Sequence, residues 1–179
     1  GHGFSEGWVR MSKASMKSAL PQFNSQRMVM DYIKGFYGPA AKQGRLLSKN
    51  RHKHARELAA WKGKIRHIWS SVELRRIDDV QAVVIAGDKT RIEVAARLGD
   101  LTPSDVRLEC VIGIEDEHHE FQVSEYFGFT AESKLDTGET LFVLDLDPPL
   151  PGLQHYQIRI YPWHDLLSHR FETGCMVWL

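Results

Sequence analysis

The sequence predicts an α+β protein in which an N-terminal helical segment precedes an antiparallel immunoglobulin-like β-sandwich. Apolar residues recur with helical spacing as far as Val72, and beyond it the period changes to two. Turn signals then separate six to eight short stretches with no helical pattern between them. We therefore expect a helical segment over residues 4–71 and a sandwich domain over residues 72–179, with residues 1–3 as a cloning remnant.

The helical segment opens with a predicted helical hairpin. The sequence LPQF at residues 20–23 breaks the pattern, and Asn24 or Ser25 can supply the N-cap oxygen of the second helix. That helix carries an apolar stripe whose members recur in pairs four residues apart: Met28, Val29, Tyr32, Ile33, Phe36 and Tyr37. The Gly38-Pro39 pair is expected to end this helix.

A third helical stretch follows Pro39, with Gly44 and residues 48–50 as expected interruptions. From Leu58 to Val72 the apolar residues keep a spacing of three or four, which predicts one amphipathic helix of about four turns. Its other face is basic and carries Arg56, Lys62, Lys64 and Arg66. We interpret this as a solvated face, with phosphate binding as the alternative.

Alternating residues define the strands of the second half. Residues 91–98 alternate up to a turn at Gly99-Asp100, and Val106, Leu108, Cys110 and Ile112 point to one side of the next strand. Further strands are predicted at residues 121–129, 140–147 and 156–161. The turn sequences DTG at 136–138 and DPPLPG at 147–152 separate them.

Charge is distributed unevenly along a chain whose formal net charge is zero. Residues 1–76 contain 16 Lys+Arg against 4 Asp+Glu, a net of +12, and residues 77–179 contain 7 against 19, a net of −12. Such asymmetry occurs in nucleic-acid-binding proteins. The favoured interpretation is that the basic helices face an acidic surface, either in the second half of the chain or in a missing upstream domain.

The composition is typical of a cytoplasmic globular protein. The longest apolar run, around residues 83–86, is too short to cross a membrane, and no leader pattern is evident at the start. Two separated cysteines, Cys110 and Cys175, are expected to be reduced thiols and do not indicate zinc.

Three stretches of the sequence carry a recognisable set of motifs. The first contains Trp8, Met11, Lys13, Ser15, Pro21, Phe23, Asn24, Arg27, Met28, Val29, Asp31, Tyr32, Tyr37, Pro39 and Ala40, with Ser12 as a departure. The second contains Leu98, Gly99, Leu101, Pro103, Asp105 and Val106. The third contains Ile158, Arg159, Ile160, Pro162, His164, Leu166, Leu167, Glu172, Gly174 and Trp178. Together and in this order, the three stretches resemble the C-terminal region of the short bacterial and archaeal α-glucan phosphorylases.

The resemblance implies the end of an enzyme that converts α-1,4-glucan and phosphate to glucose 1-phosphate with pyridoxal phosphate. We therefore expect this chain to brace or dock on upstream catalytic domains of the same polypeptide, to be inactive alone, and to hold no cofactor. Self-association of the chain is a further expectation, because its helices would lack the surface they cover. No lysine follows a glycine-rich junction between a strand and a helix, and Gly87-Asp88 and Gly99-Asp100 are interpreted as hairpin turns.

No catalytic, cofactor or metal residue is assigned. His52 and His54 do not share a helix face. His118 and His119, with Glu117 and Glu120, are interpreted as a polar loop tip, and His164 and His169, which flank Asp165, as structural residues.

Two other functions stay open. A carbohydrate-binding sandwich could present an aromatic platform from Tyr126, Phe127, Tyr161 and Trp163, although aromatic residues are more often core. A nucleic-acid-binding protein could use the basic residues between Lys49 and Arg66, and is the less favoured of the two.

Overall fold

A computed structural model describes residues 5–79, 90–115, 120–147 and 153–179, together with Gly3 and His118. The chain forms two compact units, Gly1–Ala55 and Arg56–Leu179. The expected turn at Gly87-Asp88, the apolar run 83–86 and most of the proline-rich turn at 147–152 lie outside the described residues.

The first unit begins with the predicted helical hairpin. Helix α1 (Glu6–Gln22) ends within the expected break, and α2 (Ser25–Tyr32) starts immediately after it. Asn24 caps α2, because its Oδ1 accepts the backbone N–H of Arg27 at 2.8 Å. The expected break and one of the two expected caps are therefore confirmed.

The expectation that Gly38-Pro39 ends the helix is wrong. The chain passes from α2 through a π-helical turn (Ile33–Tyr37) directly into α3 (Gly38–Ile68). A wider π turn leaves room for a proline ring that an ordinary helical turn would exclude. Glycine is needed at 38, because a Cβ there would lie 2.9 Å from the carbonyl oxygen of Ile33.

Helix α3 is interrupted once, at Lys49–His52. Asn50, Arg51 and His52 all have positive φ, a conformation that residues with a side chain adopt rarely. This interruption overlaps the expected one at residues 48–50, whereas Gly44 continues the helix. The amphipathic end of α3 follows this interruption.

The second unit contains two four-stranded antiparallel sheets, built from eight strands: β1 (Glu73–Arg76), β2 (Thr90–Arg97), β3 (Val106–Glu115), β4 (Phe121–Gly128), β5 (Thr130–Lys134), β6 (Thr140–Leu146), β7 (His155–Pro162) and β8 (Val177–Trp178). The first sheet has the order β1-β2-β6-β5, and the second has the order β4-β3-β7-β8. The α+β class is confirmed. Among the described residues, the longer strands follow the sequence prediction, and the short edge strands β1, β5 and β8 were not predicted.

One hydrophobic core joins both sheets and the end of α3. Alternate residues of β2, β3, β6 and β7 supply most of it, among them Val94, Leu108, Phe142 and Ile160. Ile65 on α3 and Trp69 in the 3-10 turn that follows it (Trp69–Ser71) add the apolar face that the spacing predicted. The expected domain boundary at residue 72 stays a prediction.

Candidate functional site

The end of α3 is attached to the sheets through Asp105. The indole N–H of Trp61 donates to Asp105 Oδ1 at 2.8 Å, and Lys64 Nζ lies 3.8 Å from Oδ2. Asp105 ends a 3-10 turn (Pro103–Asp105), where the backbone N–H and hydroxyl of Thr102 donate to its carboxylate at 2.9 and 2.8 Å. This turn therefore holds the carboxylate where the helix can reach it.

These contacts set the ionisation of Asp105. Burial opposes the charged form, but the donors from Thr102 and Trp61 and the charge of Lys64 outweigh it, and the pKa of Asp105 falls below its ordinary value. The carboxylate therefore stays charged at mildly acidic pH.

A second attachment comes from the C-terminal segment, which we define as residues 163–176. Lys62 on α3 donates to Glu172, whose other oxygen accepts the backbone N–H of Ser168 at 2.7 Å. The ring of His164 lies 5.1 Å from that of Trp61. Two of the four basic residues noted on this helix, Lys62 and Lys64, thus contact acidic residues of the second unit.

The C-terminal segment also covers a buried ion pair on the outer face of the second sheet. Glu109 on β3 and Arg159 on β7 are opposite each other in the register and are 7% and 9% exposed. Arg159 Nε donates to Glu109 Oε1 at 2.6 Å, and the Tyr161 hydroxyl donates to Oε2 at 3.0 Å. Arg170, from the C-terminal segment, lies 3.6 Å from the same carboxylate.

Aromatic rings surround the guanidinium of Arg159. Their centroids lie 4.9 to 6.0 Å from its Cζ, and they belong to Tyr126, Tyr161, Phe171 and Trp178. Burial and the charge of Glu109 raise the pKa of Tyr161, so its hydroxyl stays protonated and continues to donate. The arrangement fixes the guanidinium by stacking and by charge-assisted hydrogen bonds.

The sequence did not identify this cluster. The available signal was the presence of Glu109, Arg159 and Tyr161 at the outward positions of two otherwise apolar strands. Strand register decides that Glu109 and Arg159 meet, and register cannot be read from the individual strands.

The residues considered for a sugar platform are separated by the fold. Phe127 packs against the core and Tyr161 is 4% exposed beneath the C-terminal segment. Trp163 is half-buried, with Arg107 Cζ 5.1 Å from its ring. Tyr126 alone of the four is strongly exposed, at 47%.

The histidines and cysteines occupy unconnected places. Nδ1 of His164 accepts the N–H of Leu166, and Nδ1 of His169 accepts that of Phe171, both within the C-terminal segment. In the described part of the chain, no three potential metal ligands lie together. Cys110 is buried, which raises the pKa of its thiol to about 12, and both cysteines are free thiols.

The described turns at Gly99 and Gly138 do not form the phosphate cradle that pyridoxal phosphate requires. The cofactor needs a lysine beside a phosphate cradle of glycine and backbone N–H groups. The turn at Gly99 follows β2 and the turn at Gly138 joins β5 to β6, so neither opens a helix of useful length. Lys62 is paired with Glu172, and Lys64 lies beside Asp105.

The first unit presents an apolar helix surface, which we define as the large apolar side chains of α1, α2 and the π-helical turn. None of the residues in these three elements is buried. Exposure reaches 69% at Trp8 and 66% at Phe36, and Phe23, between α1 and α2, is 81% exposed. The rings of Phe36 and Tyr37 lie 6.0 and 6.4 Å from that of Tyr32, so the predicted stripe is present.

Comparison with models of known protein families identifies the family of this chain. The family model described as "Glycogen phosphorylase C-terminal domain" matches residues 69–179. The chain belongs to this family. The resemblance inferred from the sequence motifs is confirmed.

Relatives of this family extend the similarity over the helices. A maltodextrin phosphorylase from Thermococcus litoralis is 33% identical over 177 residues, which cover 96% of this chain and 20% of the relative. Glycogen phosphorylases from Mycobacterium bovis and Mycobacterium tuberculosis are each 26% identical over 174 residues, with the same coverage. The chain thus spans about one fifth of the length of these curated relatives.

No solved structure matches the chain significantly. Within the described residues, none of the helices combines the length and the hydropathy that a transmembrane span requires.

Proposed function

We propose that this glycogen phosphorylase C-terminal chain is the non-catalytic end of an α-glucan phosphorylase and that its helices dock on the upstream catalytic region of the same polypeptide. The observation that carries the proposal is the apolar helix surface of the first unit. Its side chains are exposed in this chain. The relatives that match the same residues are about five times as long, so they contain a further region against which such a surface can pack.

The chemistry of the surface suits an intramolecular interface. A contiguous exposed apolar surface is unfavourable in water and usually marks an interaction site. Trp, Tyr, Phe and Met, which supply much of this surface, are the residue types enriched at interfaces. An upstream region would cover the surface at no loss of translational freedom, because it belongs to the same chain.

In this proposal, the upstream region carries out catalysis and binds glucan, phosphate and pyridoxal phosphate. The described part of the chain offers no lysine beside a phosphate cradle, as the turns at Gly99 and Gly138 illustrate. The isolated chain is therefore expected to be inactive. Its role is to brace the enzyme, and uncovered helices would also explain any self-association of the isolated chain.

We also propose that the second unit is an immunoglobulin-like sandwich. With β1 to β8 taken as A, B, C, C′, D, E, F and G, the two sheets have the orders A-B-E-D and C′-C-F-G. This grouping corresponds to the ABED and CFG sheets of immunoglobulin constant-type domains with an added C′ strand. The single core shared by both sheets supports face-to-face packing.

The docking proposal can be tested by producing the upstream region of the same reading frame separately and mixing it with this chain. We expect co-elution on size-exclusion chromatography. Phe36→Asp should abolish it, because a carboxylate would have to be buried. Val123→Asp is the matched control, since Val123 is also exposed, at 44%, but lies in the second unit.

Two results would contradict the proposal. One is equal co-elution of the wild type and the Phe36→Asp variant, which would show that the apolar helix surface is not the contact. The other is phosphorolysis of maltodextrin by the isolated chain, which would show that the chain is catalytic.

A further inference from the structure

The outer face of the second sheet carries two aromatic side chains that are half exposed. Tyr126 on β4 is 47% exposed and Trp178 on β8 is 48% exposed. In the register, Trp178 lies opposite Arg159, Arg159 opposite Glu109, and Glu109 opposite Gly128. Tyr126 lies two residues from Gly128 along β4, so it faces the same side.

These two rings converge on one guanidinium. Their centroids lie 5.5 and 5.2 Å from Arg159 Cζ, and therefore within about 11 Å of each other. Arg159 is held by its buried pair with Glu109. Its position is thus fixed before any ligand arrives, which lowers the entropic cost of binding at the rings it contacts.

A hydrogen-bond donor and free space accompany the rings. Arg170 has a side chain that is 37% exposed, and its Cζ lies 4.9 Å from the Tyr126 ring centroid. At Gly128, opposite Glu109, an added Cβ would meet no other atom within 4 Å. The face therefore combines apolar ring surfaces, guanidinium N–H groups and open space at Gly128.

We propose that this face binds a glucan chain. A pyranose ring has an apolar C–H face that can lie on Tyr126 or Trp178, and hydroxyl oxygens that can accept N–H donors of Arg170. Small-ligand sites commonly combine apolar walls with a few fixed polar groups in this way. The choice of glucan rests on the proposed function, because the relatives are named for maltodextrin and glycogen.

The surroundings favour a saccharide over a protein. Two neighbouring side chains on this face, Arg107 and Gln157, are exposed and polar, and Val123 is exposed and apolar. The centre of a protein interface is depleted of charge and requires a wide continuous contact. Two half-exposed aromatic rings and Val123 are too small an apolar area for such a centre.

The test is affinity gel electrophoresis of the whole chain in gels containing glycogen, with fluorescence titration of maltoheptaose. We expect the wild type to be retarded by glycogen. Trp178→Ala and Tyr126→Ala should each weaken binding about tenfold or more, which corresponds to about 1.4 kcal/mol. Trp8→Ala removes a tryptophan from the first unit and should leave glycogen binding unchanged. Its mobility in gels without polysaccharide should equal that of the wild type.

Circular dichroism melting confirms that each variant is folded, and Trp178→Phe should keep most of the affinity because it keeps a ring. A wild-type chain that is not retarded by glycogen would overturn the inference. So would variants that bind as the wild type does, or that lose only co-elution with the upstream region, since the face would then be a protein contact. Failure of docking in the preceding experiment leaves this result unchanged, so the two proposals fail separately.

Discussion

The two units of this chain use similar apolar residues in opposite ways. In the first, the apolar helix surface is exposed, and no residue of α1 or α2 is buried. In the second, Ile65, Val94 and Ile160 have no exposed surface and belong to one core. An amphipathic pattern therefore shows that a face must be covered, but it does not show what covers it.

The largest expected effect separates the units by truncation. Residues 56–179 should unfold cooperatively on their own, because they contain the complete core. Residues 1–55 alone should show no cooperative melting, since isolated helices without packing are marginal in water. Thermal melts followed by circular dichroism measure both. A sharp transition in residues 1–55 would show that the first unit also unfolds cooperatively and would contradict this contrast between the units.

Removing a charge from the buried ion pair should be nearly as disruptive. Glu109→Ala leaves the Arg159 guanidinium buried without its partner, and we expect a loss of about 3–5 kcal/mol in urea unfolding. Glu109→Gln should cost less, because its amide oxygen can still accept from Tyr161.

Glu73→Ala is the control for the ion pair, since it removes the exposed Glu73–Arg97 pair. Its effect should be close to zero. Equal losses for the two alanine variants would show that burial does not set the difference.

One substitution made in both units tests the contrast directly. Ile160→Ala should lower the unfolding free energy of the second unit by about 2–5 kcal/mol, since it creates a cavity in the core. Ile33→Ala changes a side chain that is 45% exposed and should alter stability by less than about 0.5 kcal/mol in the isolated chain. A large effect of Ile33→Ala would mean that the first unit has a core of its own.

The smallest effect concerns the attachment of α3. Asp105→Asn weakens the charge-assisted bonds to Thr102, Trp61 and Lys64 and should cost about 1–2 kcal/mol at neutral pH. The pKa of Asp105 is lowered on folding, so its contribution is present above the unfolded value of 3.8 and is lost as the pH falls through the folded value. Melting temperatures of the wild type and the variant should therefore begin to converge as the pH falls below 3.8, and should meet only below the folded pKa of Asp105. If the two melting temperatures instead diverged at low pH, folding would raise the pKa of Asp105 and not lower it.

Much of the local structure was predictable. The cap at Asn24, the amphipathic end of α3 and the alternation in β2 and β3 depend on nearest neighbours along the chain, so periodicity and capping residues identify them. The helix end expected at Gly38-Pro39 was wrong because a π turn, which has no simple sequence signal, accommodates the proline. The family was also recognisable, since its motifs are spread over both units.

The sequence by itself determined the α+β class, the apolar faces and the opposite charges of the two halves. Tertiary structure decided which residues meet: Trp61 with Asp105, Lys62 with Glu172, and Glu109 with Arg159. The physical reason is that helix and strand periods depend on residues a few positions apart. These pairs are 44 to 110 residues apart, so only the packing of helix, sheets and C-terminal segment brings them together.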